Sequence, residues 1–181
     1  MNRRQFTGTF LAVPWLAHAQ PDALGARLRA GACVVLLRHA QTDPGIGDPP
    51  GFRLDRCSTQ RNLSTEGRAQ AGRIGQWFKS RGLEPRVVQS SAWCRCKDTA
   101  ELAFGRHKVW PALNSFFVES RTRDAQTAQL RAALKNMPSG TFEVWVTHQV
   151  NMTALTGEGM AMGEALVLDL TGTVVGRSIF A

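Results

Sequence analysis

Tyrosine is absent from this 181-residue chain, which removes a phenol from any choice of nucleophile, acid or base. No uncharged apolar run reaches the ~18 residues that a membrane-spanning helix requires, so no span is expected. Four cysteines are too few for a scaffold framed by disulfides. Basic residues outnumber acidic ones, 22 to 14, yet they are scattered without a run of five, and a stripe for nucleic acid is not indicated. What is present is globular in character. The 43% hydrophobic content, with five Trp and nine Phe, stands against only 20% charged residues, which argues against disorder. The length suits one domain with a sizeable core.

Residues 1–19 read as an export signal. Arg3 and Arg4 form a positive head, Thr7 to Leu16 an uncharged and mainly apolar stretch, and Ala17-His18-Ala19 a small-x-small cleavage site. Arg3-Arg4-Gln5-Phe6 fits a twin-arginine signal better than an ordinary secretory signal that carries two arginines. Pro14 and the lack of a cap argue against a core helix here. Cleavage would leave a single domain of residues 20–181 in the periplasm, and losing Arg3 and Arg4 lowers the formal charge from +8 to +6. That excess suits an anionic substrate, an anionic surface or plain solubility. An oxidising compartment would let Cys33, Cys57, Cys94 and Cys96 partly pair, although spacing does not fix the connectivity. Cys94-x-Cys96 with His107 lacks the second ligand pair of a metal site, so no metal is expected.

The mature chain alternates strands and helices. Gln20 to Gly31 is a predicted helical lead-in, and Ala32 to Leu37 is a short apolar run of the kind covered on both faces. A Pro/Gly-rich loop from Pro44 to Arg56 follows. Ser64 caps a helix in which Ala71, Ile74, Trp77 and Phe78 fall at helical spacing, with Gly82 and Pro85 ending it. Arg86 to Gln89 is a second strand, Ala92 to Phe104 a helix, Ala125 to Met137 another, and Phe142 to Val146 a third strand. A helix carrying Met152 and Leu155 closes at Gly157, and Ala165 to Leu170 with Thr173 to Ile179 form a terminal hairpin. This order predicts an α/β three-layer sandwich, a mostly parallel sheet with helices on both faces and a C-terminal antiparallel edge.

Sites in open α/β sheets usually lie at the carboxyl ends of strands. Arg38 and His39 end the first strand, Arg95 sits in the first turn of the helix after the second, and His148 ends the third. Two guanidinium groups and two imidazoles brought to one place make a cationic pocket. Its natural guest is a phosphate, which guanidinium grips bidentately and a helix N-terminus supports. Taken singly, each residue has a plainer reading: a solvated loop pair, a helix-surface arginine, a core histidine.

Together these segments resemble the histidine phosphatase superfamily, with its phosphoglycerate-mutase-like fold. The similarity runs from about Val34 to Leu170. It rests on Val34-Val35-Leu36-Leu37-Arg38-His39-Ala40-Gln41-Thr42-Asp43, on Gln60-Arg61-Asn62-Leu63-Ser64-Thr65-Glu66-Gly67, on Ser90-Ser91-Ala92-Trp93-Cys94-Arg95-Cys96-Lys97-Asp98-Thr99-Ala100, and on Val144-Trp145-Val146-Thr147-His148. The chain looks most like the small single-domain branch.

The resemblance implies a phosphomonoester hydrolase in which His39 is the nucleophile and carries a transient phosphohistidine. Arg38, Arg95 and His148 would hold the phosphoryl oxygens, without metal or cofactor. His39 should be neutral and His148 protonated. Glu119 is the acid best placed to protonate the leaving group, unless it simply pairs with Arg121 or Arg123 on the surface; Asp43 and Glu101 are weaker choices. Arg61 is an additional phosphate contact or a solvent-facing side chain. Gln149 follows His148, so the His-Asp donor of the acid phosphatase and phytase branch is missing. Ala40 stands where the family motif has Gly, and its methyl is expected to narrow the approach to the backbone.

The implied partner is a small phosphorylated substrate or a phosphoprotein. A non-catalytic phospholigand-binding module is the main rival function, and a phosphomutase or phosphotransferase the lesser one. The loop from Pro44 to Arg56 and the stretch Pro111 to Asp124 would shape the mouth of the pocket. Cys57, Cys94 and Cys96 lie in segments that would meet there, so a bridge from Cys57 to either of the others is expected.

Overall fold

The computed structural model describes residues 22–180; the export signal expected at 1–19 lies outside the described residues. The first helix, α1 (Ala23–Ala30), is capped by Asp22, which accepts from the Gly25 amide. Strand β1 (Cys33–Arg38) is the apolar run expected at Ala32 to Leu37. Val35 and Leu37 enter one core and Val34 and Leu36 the other, because successive strand side chains point to opposite faces.

Helix α2 (Thr65–Ser80) follows its sequence pattern closely. Ser64 accepts from the Gly67 amide at 3.0 Å, and Ala71, Ile74 and Phe78 form its buried stripe. Gly67 has to be glycine, since a Cβ there would lie 1.7 Å from the Gln41 carbonyl oxygen. Helix α2 can therefore press directly on the chain leaving β1.

The remaining elements are β2 (Val87–Ser90), α3 (Cys94–Phe104), β3 (Lys108–Val109), α4 (Arg123–Lys135), β4 (Phe142–Thr147), α5 (Gln149–Thr156), β5 (Glu164–Leu168) and β6 (Val174–Ile179). The sheet runs in the order β3-β2-β4-β1-β5-β6, with β3, β2, β4 and β1 parallel and β5 antiparallel to both its neighbours, β1 and β6. Helices α1, α2 and α3 place Leu28, Ile74, Phe78 and Ala100 on one face. Helices α4 and α5 place Leu130, Leu134, Met152 and Leu155 on the other. This is the expected three-layer α/β sandwich with an antiparallel edge. Strand β3 was not anticipated, because two residues paired to Gln89 and Ser90 carry no period.

One feature of the register positions the site. Arg38 of β1 lies opposite Thr147 of β4, so the next residues, His39 and His148, leave adjacent parallel strands side by side. On the far side of β4, Ser90 pairs with Val146, which brings Ser91 and the start of α3 to the same edge.

Candidate active site

His39, Arg95 and His148 are buried, and with Arg38 and Arg61 they line a cavity of 510 Å³ at the carboxyl edge of the sheet. The imidazole centroids of His39 and His148 are 5.4 Å apart, edge to face. Nδ1 of His39 lies 2.9 Å from the Ala40 carbonyl oxygen. A carbonyl only accepts, so Nδ1 carries the proton and Nε2 keeps its lone pair. Burial, and after it the Arg95 guanidinium, push the His39 pKa down to about 3. The ring is neutral, as a nucleophile requires.

His148 is fixed from both sides. Nη2 of Arg95 approaches Nδ1 at 3.4 Å, and the Ser91 hydroxyl lies 2.8 Å from Nε2. Guanidinium only donates, so Nδ1 is the acceptor and Nε2–H points at Ser91. The Ser91 hydroxyl passes its own proton to Oδ1 of Asn114 at 3.3 Å, and Asn114 also takes the Ala92 amide at 2.8 Å. The protonated His148 expected beside a phosphoryl group is not its state among the protein groups alone. Burial, then His39 and the nearby guanidinium groups, hold its pKa well below the ordinary imidazole value, so the ring is neutral when these groups alone surround it.

Arg38 reaches across to α5 and beyond, donating to Oε1 of Gln149 at 3.1 Å and to the Met160 carbonyl at 2.5 Å. Nε of Arg38 and Nε of Arg95 are buried without a protein partner. Unpaired buried donors are costly, and these two flank a cavity already suited to an anion.

Asp48, from the loop after β1, escaped the sequence reading. It accepts from Arg95 at 2.7 Å, from the Trp93 indole at 2.9 Å and from the Arg61 amide at 3.0 Å. Burial opposes its charge, but the Arg95 hydrogen bond and its companions hold the carboxyl below the usual carboxylate range. Ser91 and Asn114 were missed as well. Ser91 belongs to the Ser90-Ser91 segment before α3, which by itself marks no role for it, whereas Asp48 and Asn114 sit in loops where no period or spacing marks them.

Arg61 lines the cavity, but much of it is occupied as a strap. It donates to Gly47 and Gly45 carbonyls at 2.9 Å each and to the Thr42 hydroxyl at 2.7 Å. Glu119 lines the mouth, exposed and paired with Arg121 at 2.5 Å. Asp43 is exposed and Glu101 pairs with His107 at 3.1 Å; neither lines the cavity. The Ala40 methyl is buried with Leu63 and Ala71, away from the cavity lining, so the narrowing expected of it does not occur. Cys57 bridges Cys94, tying the loop after β1 to the first turn of α3, while Cys33 and Cys96 remain as buried thiols. Among the described residues no group of three or more His, Cys, Asp and Glu side chains gathers as a metal site.

The sequence profile of the histidine phosphatase superfamily (branch 1) matches residues 34–162, well over half of the chain. The chain belongs to that superfamily. Solved structures share the fold. A candidate phosphohistidine phosphatase, SixA, from Agrobacterium tumefaciens is 22% identical with a TM-score of 0.58, covering 82% of this chain and 99% of that one. The protein histidine phosphatase SixA complexed with tungstate is 17% identical with a TM-score of 0.55, covering 80% and 95%. TTHB049 from Thermus thermophilus is 21% identical with a TM-score of 0.54, covering 80% and 98%. Among curated proteins none matches the sequence. Membership of the superfamily supports phosphatase activity in general.

Proposed function

We propose that the mature protein is an exported, single-domain phosphomonoester hydrolase that passes the phosphoryl group through His39. The observation that carries this is the His39 ring itself. Its Nδ1 proton is given to the Ala40 carbonyl, so a neutral Nε2 lone pair is available in a cavity also lined by Arg38, Arg95 and His148.

In the first step Nε2 bonds to phosphorus as the ester P–O bond breaks, and the leaving oxygen takes a proton from water at the mouth or from Glu119 when that carboxyl is protonated and released from Arg121. In the second step water attacks the phosphorus and returns a proton to the group that gave one up in the first step, the P–N bond breaks, and phosphate departs with His39 neutral again. Two displacements replace one harder one. Arg38 and Arg95 meet the charge spread over the equatorial oxygens, joined by His148 once the bound anion draws a proton onto its ring, and preorganised donors of this kind are worth most where water is excluded. Arg61 adds positive potential from the side. The reading assigns no step to a metal or a cofactor. The Cys57–Cys94 bridge supports export to the periplasm, since such bonds persist in oxidising compartments.

Purified mature protein should release phosphate from p-nitrophenyl phosphate, and brief reaction with labelled substrate should trap an acid-labile phosphoprotein. His39→Ala should lower turnover by about a thousandfold or more and abolish the trapped species. Unchanged turnover in that variant defeats the proposal. The exposed position of Glu119 and the carboxylate of Asp48 against Arg95 favour a second reading, a module that binds phospholigands without turnover. Tight phosphate binding with no hydrolysis of any ester would select it.

A further inference from the structure

We infer that the phosphomonoester taken by this cavity carries an apolar group, an aryl ring or a hydrocarbon chain, next to its phosphate. The inference rests on the reading of the site as a phosphate site and concerns what lies beyond the phosphate. Above the cationic floor the walls are Phe52, Trp93, Ile46, Phe117, Val118 and Met162. Three of these are left open to water: Ile46 is 91% exposed, Val118 81% and Phe117 60%. Single exposed apolar side chains are ordinary, but several gathered on the rim of one cavity mark a binding surface. They come from two separate loops. At Gly47, with φ +72°, an added Cβ would lie 3.6 Å from the Phe117 ring, so the two loops converge there over the floor.

Most of the polar groups along the same wall are already engaged. Asp48 is taken by Arg95, Trp93 and the Arg61 amide. Oε1 of Gln149 accepts from Arg38 and the Met160 amide, and its amide nitrogen donates to Thr153. Ser115 accepts from the Phe117 amide, and Glu119 pairs with Arg121. The hydroxyls of a sugar or nucleoside phosphate would lose water here and gain few partners, which costs affinity. An aryl or alkyl group would instead cover Ile46, Phe117 and Val118 as it enters.

The test uses direct calorimetric binding of phosphonates, which need no turnover, to the mature protein. Affinity should rise from methylphosphonate through butylphosphonate to octylphosphonate, by roughly fourfold for each methylene that becomes buried. The phosphonate isostere of glucose 6-phosphate should bind no better than methylphosphonate. Phe117→Ser, at an exposed position, should shrink the octyl-to-methyl affinity ratio by about tenfold, with circular dichroism confirming the fold. A naphthylphosphonate that outbinds octylphosphonate assigns the apolar group as aromatic, and the reverse order assigns it as a lipid chain. Equal affinity for the methyl and octyl ligands, or a ratio unmoved by Phe117→Ser, overturns the inference even where phosphatase activity is present. Binding that rises with chain length in a protein without turnover supports the inference and defeats only the catalytic reading.

Discussion

Asp48 and Arg95 form an ion pair with both side chains almost fully buried, 7% and 5% exposed. The pair sits at the edge of an anion site, so its carboxylate has two opposed effects. It holds the Arg95 guanidinium where Nη2 can reach His148, and its negative charge repels an incoming phosphate. Breaking a buried pair by removing one partner leaves an uncompensated charge. Asp48→Ala should therefore destabilise the protein by about 3 kcal/mol, measured by urea unfolding. Inorganic phosphate should bind more tightly to that variant, because the dianion takes over the neutralisation of Arg95, and turnover should fall as Arg95 loses its fixed orientation. A merely structural carboxylate would weaken phosphate binding along with everything else. Weaker phosphate binding by Asp48→Ala would remove the electrostatic role assigned to this residue.

At the scale of the element, the loop between β1 and α2 is held by three devices. Arg61 straps the carbonyls of Gly45 and Gly47. Gln60 accepts from the Cys94 amide at 2.9 Å, supplying to α3 the cap that Trp93 at its N-terminus does not provide. The Cys57–Cys94 bridge closes a sequence separation of 37 residues, which corresponds to about 3–4 kcal/mol of lost freedom in the unfolded chain. Joint replacement Cys57→Ser and Cys94→Ser should lower the melting temperature by roughly 10 °C, and reductant should do the same to the parent protein. An unchanged melting temperature in both experiments argues that the bridge does not form in solution. Cys96 cannot readily substitute for Cys94. Two residues further along a helix it faces the other way, into the core, where burial pushes its thiol up to about 12.

Legibility follows the same division. Helix α2 was readable because its cap, its apolar stripe and its glycine end are all local. Strand β1 was readable because a strand covered on both faces has to be apolar throughout. Arg38, His39, Arg95 and His148, which line one cavity, could be singled out as candidates because each sits at the end of an element whose boundary the pattern marks. Asp48 and Asn114 were not, because their roles arise only when loops far apart in the chain close over the sheet edge. The resting state of His148 is not legible for a related reason: its surroundings come from Ser91, Arg95 and His39 together, and no single segment contains them.

For the whole molecule, two neutral imidazoles buried among guanidinium groups make both stability and anion binding depend on pH. His39 is depressed to about 3 and His148 lies well below its ordinary value, whereas in the unfolded chain each titrates near 6.5. Between those limits the unfolded state binds protons that the folded state refuses, so stability is full above about pH 6.5 and is lost as pH falls. Each ring contributes a slope of about 1.4 kcal/mol per pH unit below that point, and His39→Gln should reduce the slope measured between pH 6 and 4.5 by that amount. An anion in the cavity changes the balance, because its negative charge beside His148 favours the imidazolium. Sulfate is a suitable probe, since it keeps its two charges across this range and any proton taken up belongs to the protein. Calorimetric titrations at pH 6 in buffers of different ionisation enthalpy should show about one proton absorbed per sulfate bound, with affinity rising up to about tenfold for each unit that pH is lowered. His148→Asn should abolish the uptake while leaving sulfate bound to the arginines. Sulfate affinity that is flat with pH in the parent protein would mean that His148 stays neutral beside the anion, and the charge on the phosphoryl oxygens would then fall to Arg38, Arg61 and Arg95 alone.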